Sequence, residues 1–135
     1  GTNKLIVTYK GWRICPLICY DLRFPAWSRN TEQYDLLLYV ANWPTPRIQA
    51  WNTLLKARAI ENMTYTLGVN RVGKDANGHQ YVGKSAAYDC LGNCLTNFED
   101  NNNEVAILTV SKSHQDTVRL KLPFLKDQDI FEITK

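Results

Sequence analysis

Gly11–Pro25, GWRICPLICYDLRFP, is the stretch on which the fold reading turns. Its apolar run (Ile14, Cys15, Leu17, Ile18) ends on Cys19, and the turn-prone segment Tyr20-Asp21-Leu22-Arg23-Phe24-Pro25 comes at once after it. A buried strand that ends on a thiol and then turns into a helix presents that thiol at the end of a sheet. There it faces main-chain N–H groups able to hold an oxyanion. Cys19 is therefore a candidate nucleophile; the alternative is a free cysteine acting as a small core hydrophobe.

Upstream, the β-branched Lys4–Tyr9 predicts a strand and Lys10-Gly11 a turn. The nearly continuous apolar run Trp12–Cys19 predicts a strand buried on both faces. Pro25 suits the start of a short helix reaching about Gln33, and Asp35–Ala41 (DLLLYVA) predicts a second such strand. Strand, helix and strand in this order make a right-handed βαβ unit with parallel strands, so the fold class is α/β. Thr45 is placed to cap a helix from Pro46 to about Met63, with Ile48, Trp51, Leu55 and Ala59 as its buried stripe. Tyr65–Arg71 predicts a third strand and Gly73–Gly78 a polar turn. Shorter strands are expected at Tyr81–Asp89 and Asn93–Phe98, around a Cys90–Cys94 turn, and a final buried strand at Val105–Val110. A short helix is expected from Ser111 to about Arg119, and Leu122–Lys135 reads as an extended tail that packs on something. Ligands bind at the C-terminal ends of parallel strands. If the three strands are neighbours, Cys19–Arg23, Ala41–Pro46 and Asn70–Gly73 converge there.

The 135 residues, 44% hydrophobic, suffice for one domain with a core. The net charge of +3 comes from scattered basic residues without the dense patch of a nucleic-acid binder. No run is long enough to span a membrane and no signal peptide opens the chain, so a soluble cytoplasmic protein is the expectation. The four cysteines form two C-x3-C pairs. In a strand, Cys15 and Cys19 would have Cα atoms about 13 Å apart, too far for one zinc ion or one disulfide. Cys90 and Cys94 flank Leu91-Gly92-Asn93 and are placed to face each other across a hairpin, as two reduced thiols rather than a bridge.

A thiol nucleophile needs a base, oxyanion donors and an acid for the leaving group. The two histidines, His79 and His114, sit in polar segments that read as surface. Asp21 suits a role in holding the elbow through backbone N–H groups. Arg23 fits either a fork for a substrate carboxylate or a salt bridge within the fold. Trp43 fits either a pocket wall or the core. The chain thus offers a nucleophile without a base: either Cys19 is structural, or its partners lie outside these 135 residues.

Taken together, these residues resemble the nitrilase, or carbon–nitrogen hydrolase, superfamily. The motifs are Ile18-Cys19-Tyr20-Asp21-Leu22-Arg23-Phe24-Pro25, Ala41-Asn42-Trp43-Pro44, Ala57-Arg58-Ala59-Ile60-Glu61-Asn62 and Asn70-Arg71-Val72-Gly73, then Gly83-Lys84-Ser85 with Asp89 and Gly92. They run in order from about Trp12 to Asp127. The CYDLRFP and ANWP forms look most like the omega-amidase branch, which hydrolyses the terminal amide of 2-oxoglutaramate and 2-oxosuccinamate.

The resemblance implies an α-β-β-α four-layer sandwich about twice this length, with residues 1–135 as the C-terminal part of one domain. The family's catalytic set is Glu, Lys and Cys, and only Cys19 falls in this chain, since neither Lys4 nor Lys10 sits in a matching motif. By the same resemblance Cys19 forms a thioester with loss of ammonia and the Tyr20 backbone N–H holds the oxyanion. Arg23 binds the substrate carboxylate and Trp43 lines the pocket. Asp21, Arg58 and Glu61 are structural near the site, the last two as an ion pair. Neither a metal nor an organic cofactor is implied. The implied partners are the N-terminal half of the domain, a small amide substrate and further copies in a homodimer or larger homo-oligomer. Alone, the chain is expected to be inactive and to expose an apolar sheet face. Another amidase or an N-carbamoyl hydrolase, or a non-catalytic half-domain serving as an interaction module, are the competing readings.

Overall fold

A computed structural model describes residues 3–134. β1 (Val7–Tyr9) and β2 (Trp12–Ile18) pair antiparallel across Lys10-Gly11, both with positive φ. The chain leaves β2 in a 3-10 turn, Cys19–Arg23, runs through the one-turn helix α1 (Pro25–Ser28) and returns as β3 (Leu36–Ala41), parallel to β2. Helix α2 (Ile48–Asn62) leads to β4 (Tyr65–Asn70), parallel to β3. A separate hairpin of β5 (Val72–Lys74) and β6 (Gln80–Val82) comes next, then β7 (Ala86–Tyr88), antiparallel to β4, and helix α3 (Lys112–Lys121). The main sheet has the order β1-β2-β3-β4-β7. The expected α/β class and both parallel pairings are observed.

The register explains the core. Cys15, Leu37 and Thr66 form one cross-strand row, and Leu17, Tyr39 and Gly68 the next; all are buried on the α2 side. Trp51 and Leu55 of α2 pack there, together with Ala59 on the predicted stripe. Gly68 is the point of closest approach, since a Cβ would lie 2.5 Å from Leu55 Cδ1 and 2.7 Å from Trp51 Cζ2. Gly68→Ala therefore overpacks the interface and is expected to cost about 2 kcal/mol, read as a lower denaturant midpoint in the full-length protein.

On the opposite face the row Ile18, Val40 and Val69 is 66%, 56% and 60% exposed. The prediction of strands buried on both faces is corrected: one face is covered by α2 and the other is bare. The expected exposed apolar sheet face is present.

Other departures have local causes. The first helix stops at Ser28 instead of Gln33 because Asn30 closes its own loop, donating to Tyr34 O and accepting from Tyr34 N. Thr45 does not cap α2; its hydroxyl donates to Gln80 O at 2.9 Å, and a 3-10 turn, Thr45–Arg47, starts the helix instead. Asn93–Phe98 is not a strand. Cys94 makes one bridge to Tyr88, after which the Thr96 hydroxyl accepts from Ala87 N in place of a ladder carbonyl. Val105–Val110 is not a buried strand either: Val105 and Ile107 are 92% and 96% exposed, and the segment has no ladder partner among the described residues. A continuous apolar run makes a strand only where neighbours supply hydrogen bonds and cover. The tail after α3 contains a 3-10 turn, Phe124–Lys126, and leaves Ile130 and Phe131 on the surface.

α3 is tied to the sheet by a feature the hydrophobic pattern does not show. Asp35, buried just before β3, accepts from Arg13 N, Lys112 Nζ and Arg119 Nη1, each at 3.0 Å. Gln115 Nε2 donates to Asp35 O at 2.8 Å, and Arg119 reaches Tyr34 O and Met63 O.

Candidate active site

The three strand ends that were expected to converge belong to adjacent parallel strands. Cys19 comes directly after β2 and has φ of +39°, a left-handed conformation that non-glycine residues seldom adopt and that clusters at functional positions. Two contacts hold it there. Asp21 Oδ2 accepts from Ile18 N at 2.9 Å, closing the turn around Cys19, and Phe24 N donates to Asp21 O at 3.0 Å. Asp21 thus occupies the expected place at the elbow. Tyr20 N–H lies in the first turn of the 3-10 segment, where N–H groups have no acceptor within the helix. Its side chain is turned outward, edge-on to Phe24 at 5.0 Å.

Behind the elbow stands α2. Arg58, 3% exposed, donates through Nη2 to Leu22 O at 2.7 Å and through Nη1 to Glu61 Oε1 at 2.8 Å. The Glu61 carbonyl accepts in turn from the Arg29 guanidinium. The Arg58–Glu61 ion pair is present, and among the described residues its one hydrogen bond to the elbow goes to the Leu22 carbonyl.

Arg23 makes no ion pair among the described residues; its guanidinium carbon lies 4.8 Å from the centroid of the Trp43 ring. Trp43 is 3% exposed, tilts against Trp51 at 5.7 Å and donates through Nε1 to Arg47 O at 2.7 Å. Its ring therefore sits in the core with the cation stacked on it. Arg71 stacks instead on Tyr81 of the hairpin, at 4.7 Å.

Asn70, which ends β4, clamps the neighbouring loops. Its side chain accepts from Trp43 N at 2.7 Å and donates to Trp43 O and Gly83 O, while its backbone N–H donates to Ser85 Oγ. Its signal in the sequence is a polar amide closing an otherwise apolar strand; hydrophobic patterning passes over it. A cleft of about 360 Å³ opens beside it, lined by Ala41, Asn70, Lys84, Ser85 and Glu104. A larger groove of about 840 Å³ runs along the bare sheet face, past Pro16, Ile18, Asp21, Phe24 and Val40.

The other sulfur and imidazole groups stand apart. Burial pushes the Cys15 thiol up to about 11, against the partial pull of Lys4, so it is an inert core thiol. All four cysteines are free. His79 lies in the exposed hairpin turn, its backbone bonded to Asp75. His114 packs edge-on against Tyr65 at the opposite end of the sheet from Cys19. No cluster of ligands able to hold a metal forms among the described residues, and no helix there is long and apolar enough to cross a membrane.

Comparison with known proteins agrees with this geometry. The carbon–nitrogen hydrolase family model matches residues 2–119. The chain is 47% identical over 131 residues to omega-amidase YafV of Yersinia enterocolitica, covering 97% of this chain and 51% of that protein. It is 41% identical over 81 residues to the 2-oxoglutaramate amidase of Bacillus subtilis, covering 58% of this chain and 31% of the relative. A crystal structure of a CN-hydrolase superfamily protein from Xanthomonas campestris, which carries an arsenic adduct in its active site, superposes with a TM-score of 0.95 at 43% identity. That match covers 99% of this chain and 53% of the other. The chain spans about half the length of the YafV relatives and of the Xanthomonas campestris protein. With the family model matched over residues 2–119 and relatives in the family at 43–47% identity across nearly the whole chain, the chain belongs to the carbon–nitrogen hydrolase family.

Proposed function

We propose that the protein carrying this chain is an omega-amidase-type hydrolase that cleaves the terminal amide of a small carboxylate-bearing substrate such as 2-oxoglutaramate or 2-oxosuccinamate. The observation that carries it is Cys19 on its left-handed elbow, four residues before Arg23, in a chain 47% identical to an omega-amidase. The Cys19 sulfur attacks the amide carbon and its proton passes to a general base. The tetrahedral oxyanion is held by Tyr20 N–H. The intermediate collapses, the C–N bond breaks, and nitrogen takes the proton and leaves as ammonia. Water then cleaves the thioester, releasing the dicarboxylic acid and restoring the thiol.

The glutamate base and the oxyanion lysine are assigned to sequence outside residues 1–135. The half-length match and the bare apolar sheet face beside the elbow support this. Arg23 binds the substrate carboxylate; it is free of ion pairs among the described residues, and its guanidinium is stacked on the core ring of Trp43, which steadies it without itself lining the pocket. The cytoplasm is the proposed location, supported by the four free thiols. A homodimer or larger homo-oligomer is the proposed assembly, supported by the exposed apolar side chains of the tail.

The test is ammonia release by the full-length protein from a panel of amides with and without a carboxylate. 2-Oxoglutaramate is expected to be preferred. Arg23→Ala is expected to raise KM for the carboxylate-bearing amides on the order of tenfold or more, the worth of a charge-assisted bond, and to leave neutral amides unchanged. An equal effect on neutral amides would remove Arg23 from carboxylate binding.

A further inference from the structure

We infer that Arg58 is a positioning residue for the nucleophile, holding the Cys19 elbow through the Leu22 carbonyl. This rests on the reading of Cys19 as the nucleophile. Arg58 is the charged member of the buried stripe Trp51, Leu55, Arg58, Ala59 and Asn62 of α2. Each of its bonds has a directed purpose. Nη2 donates to Leu22 O, three residues after Cys19, and Nη1 donates to Glu61, which fixes the plane of the guanidinium. The Glu61 carbonyl accepts from Arg29, so the same brace reaches the segment just after α1.

The elbow needs such a brace. Cys19 is held at φ +39°, a conformation that persists only when its surroundings over-determine it. On the near side Asp21 ties the turn to Ile18 N. On the far side Leu22 is fully buried, and among the described residues its carbonyl takes the one hydrogen bond that joins the Arg58 guanidinium to the turn. Arg58 Nε has no partner among the described residues, so the guanidinium is held by Nη1 and Nη2 alone. A buried ion pair is weak evidence for stability, and the one bond that the Arg58 guanidinium makes outside its own helix among the described residues goes to a carbonyl of the elbow.

The experiment uses the full-length protein with Arg58→Met, which keeps the volume without a buried charge, and Arg58→Lys, which can still donate to Leu22 O. Readouts are kcat and KM for 2-oxoglutaramate, and the rate of Cys19 alkylation by iodoacetamide, monitored by mass spectrometry. Arg58→Met is expected to lower kcat on the order of 30-fold with KM within about threefold, since misplacement by a fraction of an ångström weakens attack more than binding. Its alkylation rate should change in parallel, and Arg58→Lys should recover much of both. Folded Arg58→Met with native kcat and native alkylation would overturn the inference, as would an effect confined to KM. Loss of fold in both variants would also overturn it, making Arg58 a residue of the scaffold. If the native protein hydrolyses none of the amides while alkylation still responds to Arg58→Met and is rescued by Arg58→Lys, the positioning role stands and the amidase reading falls.

Discussion

Cys19→Ala is expected to abolish amide hydrolysis, with kcat falling on the order of 10⁵-fold, while the protein stays folded. Removing a covalent nucleophile from a site whose members act as a unit has cost this much elsewhere. The nearest cysteine in sequence cannot replace it. Cys15 lies four residues upstream, but its thiol is fully buried and pushed up to about 11, so it neither reaches solvent nor supplies thiolate. The alanine inherits the same left-handed backbone, and the Asp21 and Arg58 bonds that shape the elbow are made to other residues. The thermal midpoint should therefore move by no more than about 2 °C, the low end of what a 1 kcal/mol change produces in a protein of this size. The measurement is ammonia release from 2-oxoglutaramate by the full-length protein, with circular dichroism as the control for fold. Residual activity above about one part in a thousand would mean that the thioester route is wrong, since general acid–base chemistry alone contributes up to about 10⁴-fold.

The elbow was legible because two local signals coincide there. An apolar run stops and a polar segment with Pro25 begins, which together mark the end of a strand and the start of a helix. The pairing of β2, β3 and β4 was legible for the same reason: continuous apolar runs separated by helix signals allow few arrangements. The Trp51–Leu55–Ala59 stripe announced itself by period. Arg58 and Asn62 sit on that buried stripe too, and a polar residue at such a position is itself a signal that something across the interface needs it. Which group it serves is a tertiary fact: Arg58 meets Leu22 from 36 residues away. Val105–Val110 shows the reverse failure. Its run is nearly as apolar as β3, yet β3 has a strand on either side whereas Val105–Val110 pairs with none among the described residues. The bare face of Ile18, Val40 and Val69 obeys the same logic, since an apolar residue predicts that a surface is suited to cover without saying where the cover is.

Asp35→Ala is expected to destabilise the full-length protein by about 3 kcal/mol, the low end of the range for breaking a buried ion pair from one side. The carboxylate is the common acceptor for Arg13 N, Lys112 and Arg119, and its removal leaves the Arg119 cation partly buried without its counter-charge. The low end applies because the Lys112 side chain is 39% exposed and keeps Asp116 as a partner at 2.6 Å. Arg119 also retains Tyr34 O and Met63 O. Asp35→Asn keeps an acceptor for Arg13 N but loses the charge, so its cost should fall between those of alanine and the native residue. In a thermal melt the alanine variant should lose about 8 °C. Asp35 pairs into the end of the sheet where Tyr65 begins β4, whereas Cys19 stands at the other end of the same strands. Activity per folded molecule should accordingly stay within about twofold, because distant sites that share no partners act independently. A fall in kcat with stability intact would show that α3 transmits strain along the sheet to the elbow. The expected outcome, stability lost and kcat kept, would assign the two ends of these strands to separate tasks: one anchors the last helix, the other holds the thiol.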